Sequence, residues 1–291
     1  MKLSQLRSYE IICKHSNITK ASEELHISQP SLSGVINDLE REFGVTLFYR
    51  QRNGLRITAE GKRLLELSRA LTGQADELVR EMTELGQKKS TVRLGLPPMI
   101  GSIVFPSIFS ALKERCPNTE LKITETGSIT GISLVLDGTL DAAIISSNSR
   151  LPSSIDYINV RDVRILFYFN INEPIGDMLL VDYERIRDFP LVLLSEDSFG
   201  SAFVNGEFKK RGLQPNVILH TNQLFTIRNL LNNRSAATFL YEGILDPSEE
   251  DIAAVPLPDN PAVHIRLIWN KNHQQPNGLR DMIKMIRRGN F

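Results

Sequence analysis

Cysteine is nearly absent: Cys13 and Cys116 are the only two in 291 residues, too few and too far apart for a disulfide framework or a zinc site. No window approaches the run of about 18 apolar residues that a membrane helix needs. The stretch MKLSQLRSYEIICKHSN lacks the unbroken apolar core and small-residue cleavage site of a secretory signal. A reduced cytoplasm and no membrane partner are the simplest setting. The histidines His15, His26, His220, His264 and His273 form no i,i+4 pair and no H-E-x-x-H. No G-x-S-x-G elbow, phosphate-binding G-x-x-x-x-G-K-S/T loop or G-x-G-x-x-G occurs. Neither a catalytic constellation nor a metal or other cofactor site is therefore expected. A formal net charge of zero argues against indiscriminate binding to nucleic acid.

What is present is local. Asn17 is placed to cap a short helix, Thr19–Leu25, and the tight turn His26-Ile27 leads to Ser28-Gln29-Pro30. Ser28 is a good N-cap, and a proline near the first helical position gives up only a donor without an intrahelical partner. The second helix carries Leu32, Val35, Ile36, Leu39 and Phe43 at helical spacing, which predicts an inward face. Gln29, Ser31, Ser33, Gly34, Asn37 and Asp38 fall largely on the other side. Short neutral hydrogen-bonding groups near a helix N-terminus suit a DNA major groove, where amides and hydroxyls pair with base edges.

Downstream, Arg50, Arg52, Arg56, Lys62 and Arg63 stand against one acid, Glu60, within residues 49–63. The tip Gln51–Arg56 has turn chemistry at Asn53-Gly54 and guanidinium groups on both arms. Alone, this reads as a solvated basic hairpin; directly after the SQPSLS helix it favours phosphate or minor-groove contact. The candidate DNA contacts are Thr19, Lys20, Ser28, Gln29, Pro30, Ser31, Ser33, Asn37, Arg50, Arg52 and Arg56.

From the N-cap Thr58 the chain runs without proline to about Lys89. Leu64, Leu71, Leu78 and Leu85 recur every seven residues, with Ser68, Ala75 and Met82 on the alternate seam, the pattern of a helix packed lengthwise on another. Such a helix either folds onto its own chain or pairs with a second copy. Its length between two domains favours the second copy, with Leu64, Leu71, Ala75, Leu78, Met82 and Leu85 at the contact. Gly86–Ser90 reads as a hinge.

Beyond Thr91, short apolar strands alternate with helices. Strands are predicted at Val92–Leu96, Leu121–Glu125, Leu140–Ile145, Ile155–Val160, Ile165–Asn170, Leu191–Leu194, Val217–His220, Ala236–Leu240 and Val263–Trp269. Helices are predicted near 102–115, 129–137, 182–187, 200–211, 223–232 and 278–288. The alternation argues an α/β fold with mostly parallel sheets. Ligands of such sheets sit at the carboxyl ends of strands, where helix N-termini point. Three strand-to-helix stretches qualify: Pro97–Ser102, Ser195–Ser201 and Thr221–Gln223 with Thr226 beyond. The candidate ligand contacts are Pro98, Met99, Ile100, Gly101, Ser102, Ser195, Ser198, Phe199, Gln223 and Thr226. Ordinary capping explains any one of them; the Pro97–Ser102 loop taken whole favours a small organic anion with an apolar part. His26 and His220 read as structural, Cys13 and Trp269 as core, Cys116 as a helix end, and Asp141 as a fold residue.

Ala21, Leu25, Ser28-Gln29-Pro30-Ser31, Ser33, Leu39-Glu40, Phe43-Gly44-Val45, Leu47-Phe48, Arg50, Thr58 and Gly61 together resemble the N-terminal domain of LysR-type transcriptional regulators. Gly34 and Tyr49 depart from the family's habit of a basic residue and an acid at those places. Farther on, Leu136-x-Gly138-x-Leu140-Asp141 followed by Ala142-Ala143-Ile144 resembles the family's strand-entry motif. The resemblance implies a winged helix-turn-helix over 1–58, a linker and antiparallel dimerisation helix over 59–90, and an effector-binding domain over 91–291. That domain would be periplasmic-binding-protein-like, of two Rossmann-like subdomains (91–161 with 266–291, and 162–265) around a ligand cleft lined by the three loops. The chain would cross over near Arg161-Asp162 and return near His264-Ile265. It implies a homodimer or a tetramer on double-stranded DNA carrying an interrupted palindrome. A small-molecule effector would move the DNA-binding heads, and RNA polymerase is open as a further partner. The alternative is a cytosolic solute-binding or enzymatic α/β protein with a non-regulatory N-terminal helical domain.

Overall fold

The computed structural model describes residues 1–51, 54–87, 89–246, 251–259 and 261–289, with the backbone alone for Glu77, Glu81, Glu84, Leu85 and Gln87. Arg52, Asn53 and Lys88, and the side chain of Leu85, lie outside the described residues. The chain divides into two compact units, Met1–Gln87 and Lys88–Phe291.

The first unit is α1 (Leu3–His15), α2 (Ile18–Leu25), α3 (Gln29–Phe43), β1 (Phe48–Gln51), β2 (Gly54–Ile57) and α4 (Ala59–Gln87). Local chemistry sets its turns. The Asn17 side chain accepts from Lys20 N at 3.1 Å, and Ser28 Oγ from Ser31 N at 3.3 Å, capping α2 and α3 as expected. Gly44 ends α3 at φ 67°, in the left-handed region that suits glycine. Leu6, Tyr9, Ile12, Ala21, Leu32, Ile36, Leu39, Leu47 and Phe48 form the core. Phe43, expected inside, is 42 % exposed, because the last turn of α3 projects past this small core. One Glu40 carboxylate oxygen accepts from Leu47 N (2.7 Å) and Phe48 N (3.3 Å), which seats β1 beneath α3. The Tyr9 hydroxyl donates to Gly61 O at 2.8 Å and ties α1 to the start of α4.

The second unit continues with β3 (Ser90–Leu96), α5 (Pro98–Arg115), β4 (Thr119–Glu125), α6 (Ser128–Leu136), β5 (Ala142–Ser147), β6 (Ile155–Val163) and β7 (Ile165–Asn170). It is completed by α7 (Tyr183–Ile186), β8 (Leu191–Leu193), α8 (Phe199–Lys210), β9 (Val217–His220), α9 (Leu224–Asn232), β10 (Ala237–Tyr241), β11 (Ile252–Pro256), β12 (Val263–Asn270) and α10 (Asn277–Arg287). Two five-stranded sheets result, ordered β4-β3-β5-β12-β6 and β11-β7-β10-β8-β9, and each organises one lobe. Asp141 is a fold residue: its carboxylate accepts from Arg93 N at 2.7 Å and pairs with the Arg93 guanidinium, clamping the entry of β5 to β3.

Several expectations change here. The sheets are mixed rather than mostly parallel. β4, β3 and β5 run parallel, as do β9, β8 and β10, but β12 is antiparallel to both β5 and β6, and β7 to both β10 and β11. The reason is connectivity: β6 carries the chain out of the first lobe and β12 brings it back, so these neighbours must run in opposite directions. Strand β11 went unread because its two alanines and Pro256 give a weak strand signal, and proline is tolerated at the sheet edge it occupies. Helix α5 starts at Pro98 rather than near 102. Two consecutive prolines read as loop, yet the second sits at a first helical position, where it needs no N–H.

Candidate DNA-reading face and effector cleft

On the first unit, Thr19, Lys20, Ser28, Gln29, Pro30, Ser31 and Asn37 are exposed and Ser33 is half-buried. They lie on α2, on α3 and on the Ser28 cap that opens α3. Ser28 and Ser31 are engaged with each other at 2.8 Å. Gln29, Ser33 and Asn37 have no side-chain hydrogen bond among the described residues. The cations divide in the same way. Lys14 and His15 are paired with Glu24, Arg41 with Asp38 and Arg63 with Glu66, whereas Lys20, Arg50 and Arg56 have no ion pair among the described residues.

The wing is the antiparallel pair β1–β2, with Tyr49 opposite Arg56 and Arg50 opposite Leu55. Residues directly opposite share a sheet face, so Arg56 emerges beside the exposed Tyr49 and Arg50 on the other side. The sequence suggested guanidinium groups on both arms; alternation sends them to opposite faces. Arg52, the third wing arginine, lies outside the described residues. Backbone contacts fix the wing: Leu55 N donates to Ser16 O at 2.8 Å, and a Cβ on Gly54 would meet that same oxygen at 2.5 Å.

Along α4 the predicted seam splits. Leu64 packs half-buried against the core of this unit, and Ser68 is 1 % exposed. The Thr72 hydroxyl donates to Glu10 Oε1 of α1 at 2.8 Å. Leu71, Leu78 and Met82 are exposed, together with Leu67 and Val79, and Ala75 is half-buried. The heptad starts one step early because its first turns are needed to cover α1.

In the second unit, a narrow cleft lies where the carboxyl ends of strands from both lobes face each other. From the first lobe it is lined by Pro97, Pro98, Met99, Ile100, Gly127, Ser128 and Ser146, and from the second by Leu194, Ser195, Ser198, Asn222 and Tyr241. Its free volume is about 10 Å³, room for about one water molecule. The polar groups are bonded to one another. Ser146 Oγ lies 2.8 Å from the Tyr241 hydroxyl and 3.2 Å from Ser128 Oγ, and Asn222 Nδ2 donates to Ser195 Oγ at 2.9 Å. Burial pushes the Tyr241 phenol up to about 12, so it stays protonated as a donor. At the rim, the Asp197 carboxylate accepts from Ser195 Oγ (2.7 Å) and Gly127 N (2.8 Å). Those bonds, the Ser195 one foremost, hold its carboxyl below the usual range.

Comparison with known proteins now decides the assignment. Residues 3–62 match the family described as bacterial regulatory helix-turn-helix protein, lysR family, and residues 85–290 match the LysR substrate binding domain. The chain belongs to the LysR family. Among curated relatives, the HTH-type transcriptional regulator YwbI of Bacillus subtilis is 29 % identical over 281 residues, covering 94 % of this chain and 91 % of that one. Among solved structures, the LysR family regulator CbnR aligns over 100 % of both chains with a TM-score of 0.64 at 20 % identity. Full-length CbnR complexed with its target DNA aligns over 99 % of both, at 0.61 and 21 %. This LysR-type protein is therefore a DNA-binding transcriptional regulator modulated by a small-molecule effector, and not an enzyme.

Within the regulator's cleft, the structure brings together Pro98, Met99, Ile100, Ser195 and Ser198 of the ten residues anticipated. Gly101 packs against Leu96 outside the lining. Ser102 is exposed, its hydroxyl bonded to Met99 O at 2.7 Å within its own helical turn. Phe199 stacks on Phe203, and Thr226 bonds the exposed Gln223 at 3.1 Å. Gly127, Ser128, Ser146 and Tyr241 were missed, and Asp197 was covered only as part of the Ser195–Ser201 stretch. Gly127-Ser128 joins β4 to α6 and meets the strand-to-helix rule already applied to the other loops, so that signal was available. Ser146 and Tyr241 carry no local signal.

Because the Asp197 pKa is depressed in the fold, its stabilisation is present above the unfolded value and lost as pH falls through the folded one. The difference in melting temperature between wild type and Asp197→Asn should accordingly be constant from about pH 5 to 8 and shrink below about pH 4. A difference independent of pH down to about 3 would show that the ionised form is not the one stabilised.

Proposed function

We propose that this regulator reads DNA through Gln29, Ser33 and Asn37 on α3, supported by Thr19, Lys20, Ser28, Pro30 and Ser31, with Arg50, Arg52 and Arg56 on the backbone. The target is an interrupted palindrome in cytoplasmic DNA, bound by a dimer or by a tetramer built as a dimer of dimers. Among the described residues no helix is long and apolar enough to cross a membrane, which agrees with a DNA partner. The observation that carries the DNA reading is the unpaired set of neutral donors on α3 flanked by unpaired cations. Bidentate amides and hydroxyls discriminate bases, while guanidinium groups supply phosphate attraction.

For assembly, the exposed apolar stripe Leu67, Leu71, Leu78 and Met82 is an unfavourable surface for a lone helix and the natural contact for a second copy. For the effector, the proposed place is the cleft over 97–100, 127–128, 194–198 and 241. Helix α5 has no side-chain cap, and Met99 and Ile100 lie in its first turn with free amides. No lysine or arginine lines the cleft. A small organic anion with an apolar part suits amides and hydroxyls set among Pro97, Pro98, Met99, Ile100 and Leu194. The domain limits that accompany this reading are 1–58, 59–90 and 91–291.

Three measurements check it. In gel retardation with the DNA upstream of its gene, the double change Gln29→Ala, Ser33→Ala should weaken binding by about 1–3 kcal/mol per lost contact with the fold intact by circular dichroism. Unchanged retardation would remove those residues from base readout. Leu71→Glu with Leu78→Glu should sediment as a monomer, and a persistent dimer would place the contact elsewhere. In thermal-shift titrations of small carboxylates, each against its methyl ester, the acids should raise the melting temperature. Stabilisation by the esters alone would sink the anion assignment.

A further inference from the structure

Among the described residues, three hydrogen bonds cross the cleft between the lobes. Gly127 N donates to the Asp197 carboxylate at 2.8 Å, Ile129 N donates to the Asp197 carbonyl at 3.2 Å, and the Ser146 and Tyr241 hydroxyls meet at 2.8 Å. Asp197 supplies two of the three. It stands between β8 and α8 of the second lobe, while Gly127 and Ile129 open α6 of the first, 70 positions away in sequence for the carboxylate bond. The fit is close: a Cβ on Gly127 would lie 2.4 Å from the Asp197 Cγ, backbone O and Oδ2. The Thr130 side chain, in the first turn of α6, also helps to hold the Asp197 carboxyl below its usual range. Among the described residues it has no ion pair, so neutral donors and the favourable end of the α6 dipole hold it.

Helix N-caps ordinarily come from the residue that begins the helix. Gly127 has no side chain to serve; Asp197 of the opposite lobe takes the role, its carbonyl accepting from the first-turn amide of Ile129 and its carboxylate from the Gly127 amide. The free volume of about 10 Å³ is far below the roughly 300–1,000 Å³ of small-molecule sites. No organic ligand enters before the lobes part, and parting breaks every Asp197 contact to α6.

We propose that Asp197 is a latch: seated on the N-terminus of α6, it holds the empty cleft shut, and effector entry requires its release. The effector half of this statement rests on the cleft being the effector site; the latch itself does not. Since apparent affinity scales with the fraction of molecules already open, Asp197 opposes the ligand. Weakening it favours binding, the reverse of what loss of a ligand contact does.

The test uses the full-length chain carrying Ile100→Cys, which places a thiol at a cleft-lining position that is 1 % exposed. Iodoacetamide modification of that thiol is followed by peptide mass spectrometry, with the native Cys13 and Cys116 as internal references. Adding Asp197→Ala should speed modification at position 100 by at least about tenfold, the loss expected for hydrogen bonds to a charged group, with the reference rates unchanged. Thr130→Val, which removes a hydroxyl that favours the ionised carboxylate and keeps the carboxylate itself, should speed it by a smaller factor. Equal rates with and without Asp197→Ala overturn the latch. If Asp197→Ala accelerates all three thiols by unfolding, Thr130→Val decides, and no acceleration at position 100 in that variant also overturns it. No ligand is present, so failure here leaves the effector assignment standing, and failure of the carboxylate titrations leaves the latch standing.

Discussion

Two passages of chain connect the lobes of the effector-binding unit, and they determine nearly everything about its cleft. Val163 ends the last strand of the outgoing passage in the first sheet and Ile165 begins its continuation in the second, with Arg164 alone between them. The return passage enters the first sheet at Val263, which is registered opposite Val163. His264 Nδ1 and Asp162 Oδ1, 2.7 Å apart, add a side-chain tie at the crossing. Two strands paired this way form one seam that joins the lobes. The N-termini of α5, α6 and α8 are presented toward the cleft between the lobes.

The two functional surfaces are governed by opposite rules for polar groups. In the cleft, serines, a tyrosine, an asparagine and an aspartate bond one another, because burial without a partner is costly. The buried Ser146–Tyr241 pair is a contact between lobes that the solvated state of either hydroxyl would not favour. On α3, Gln29, Ser33 and Asn37 remain exposed or half-buried without side-chain hydrogen bonds among the described residues, which costs little in water.

Legibility in the sequence followed the range of the interactions. Asn17 and Ser28 were readable as helix boundaries because a cap bonds a backbone group a few positions away. Asp141 was readable through its place at a strand entry. Leu64 misled because heptad spacing reports which residues share a helix face and is silent on whether α1 or a second chain covers that face. Ser102 and Thr226 misled for a related reason: a hydroxyl at a helix start satisfies its own turn as readily as a ligand. Strand β11, with two alanines and a terminal proline at a sheet edge, has a place only because β7 offers it a partner.

The sequence by itself determined the helix-turn-helix, its capping, the basic wing, the long helix and the alternation of strands with helices. Each of these rests on periodicity or on bonds between near neighbours, which the order of residues contains directly. Only the tertiary structure decided that the sheets are mixed, that the first turns of α4 belong to their own core, and that Asp197 meets Gly127 and Ser146 meets Tyr241 across a cleft. Gly127 and Asp197 are 70 positions apart, and Ser146 and Tyr241 are 95. Contacts at such separations are chosen by how the two lobes pack, and no local pattern encodes that choice.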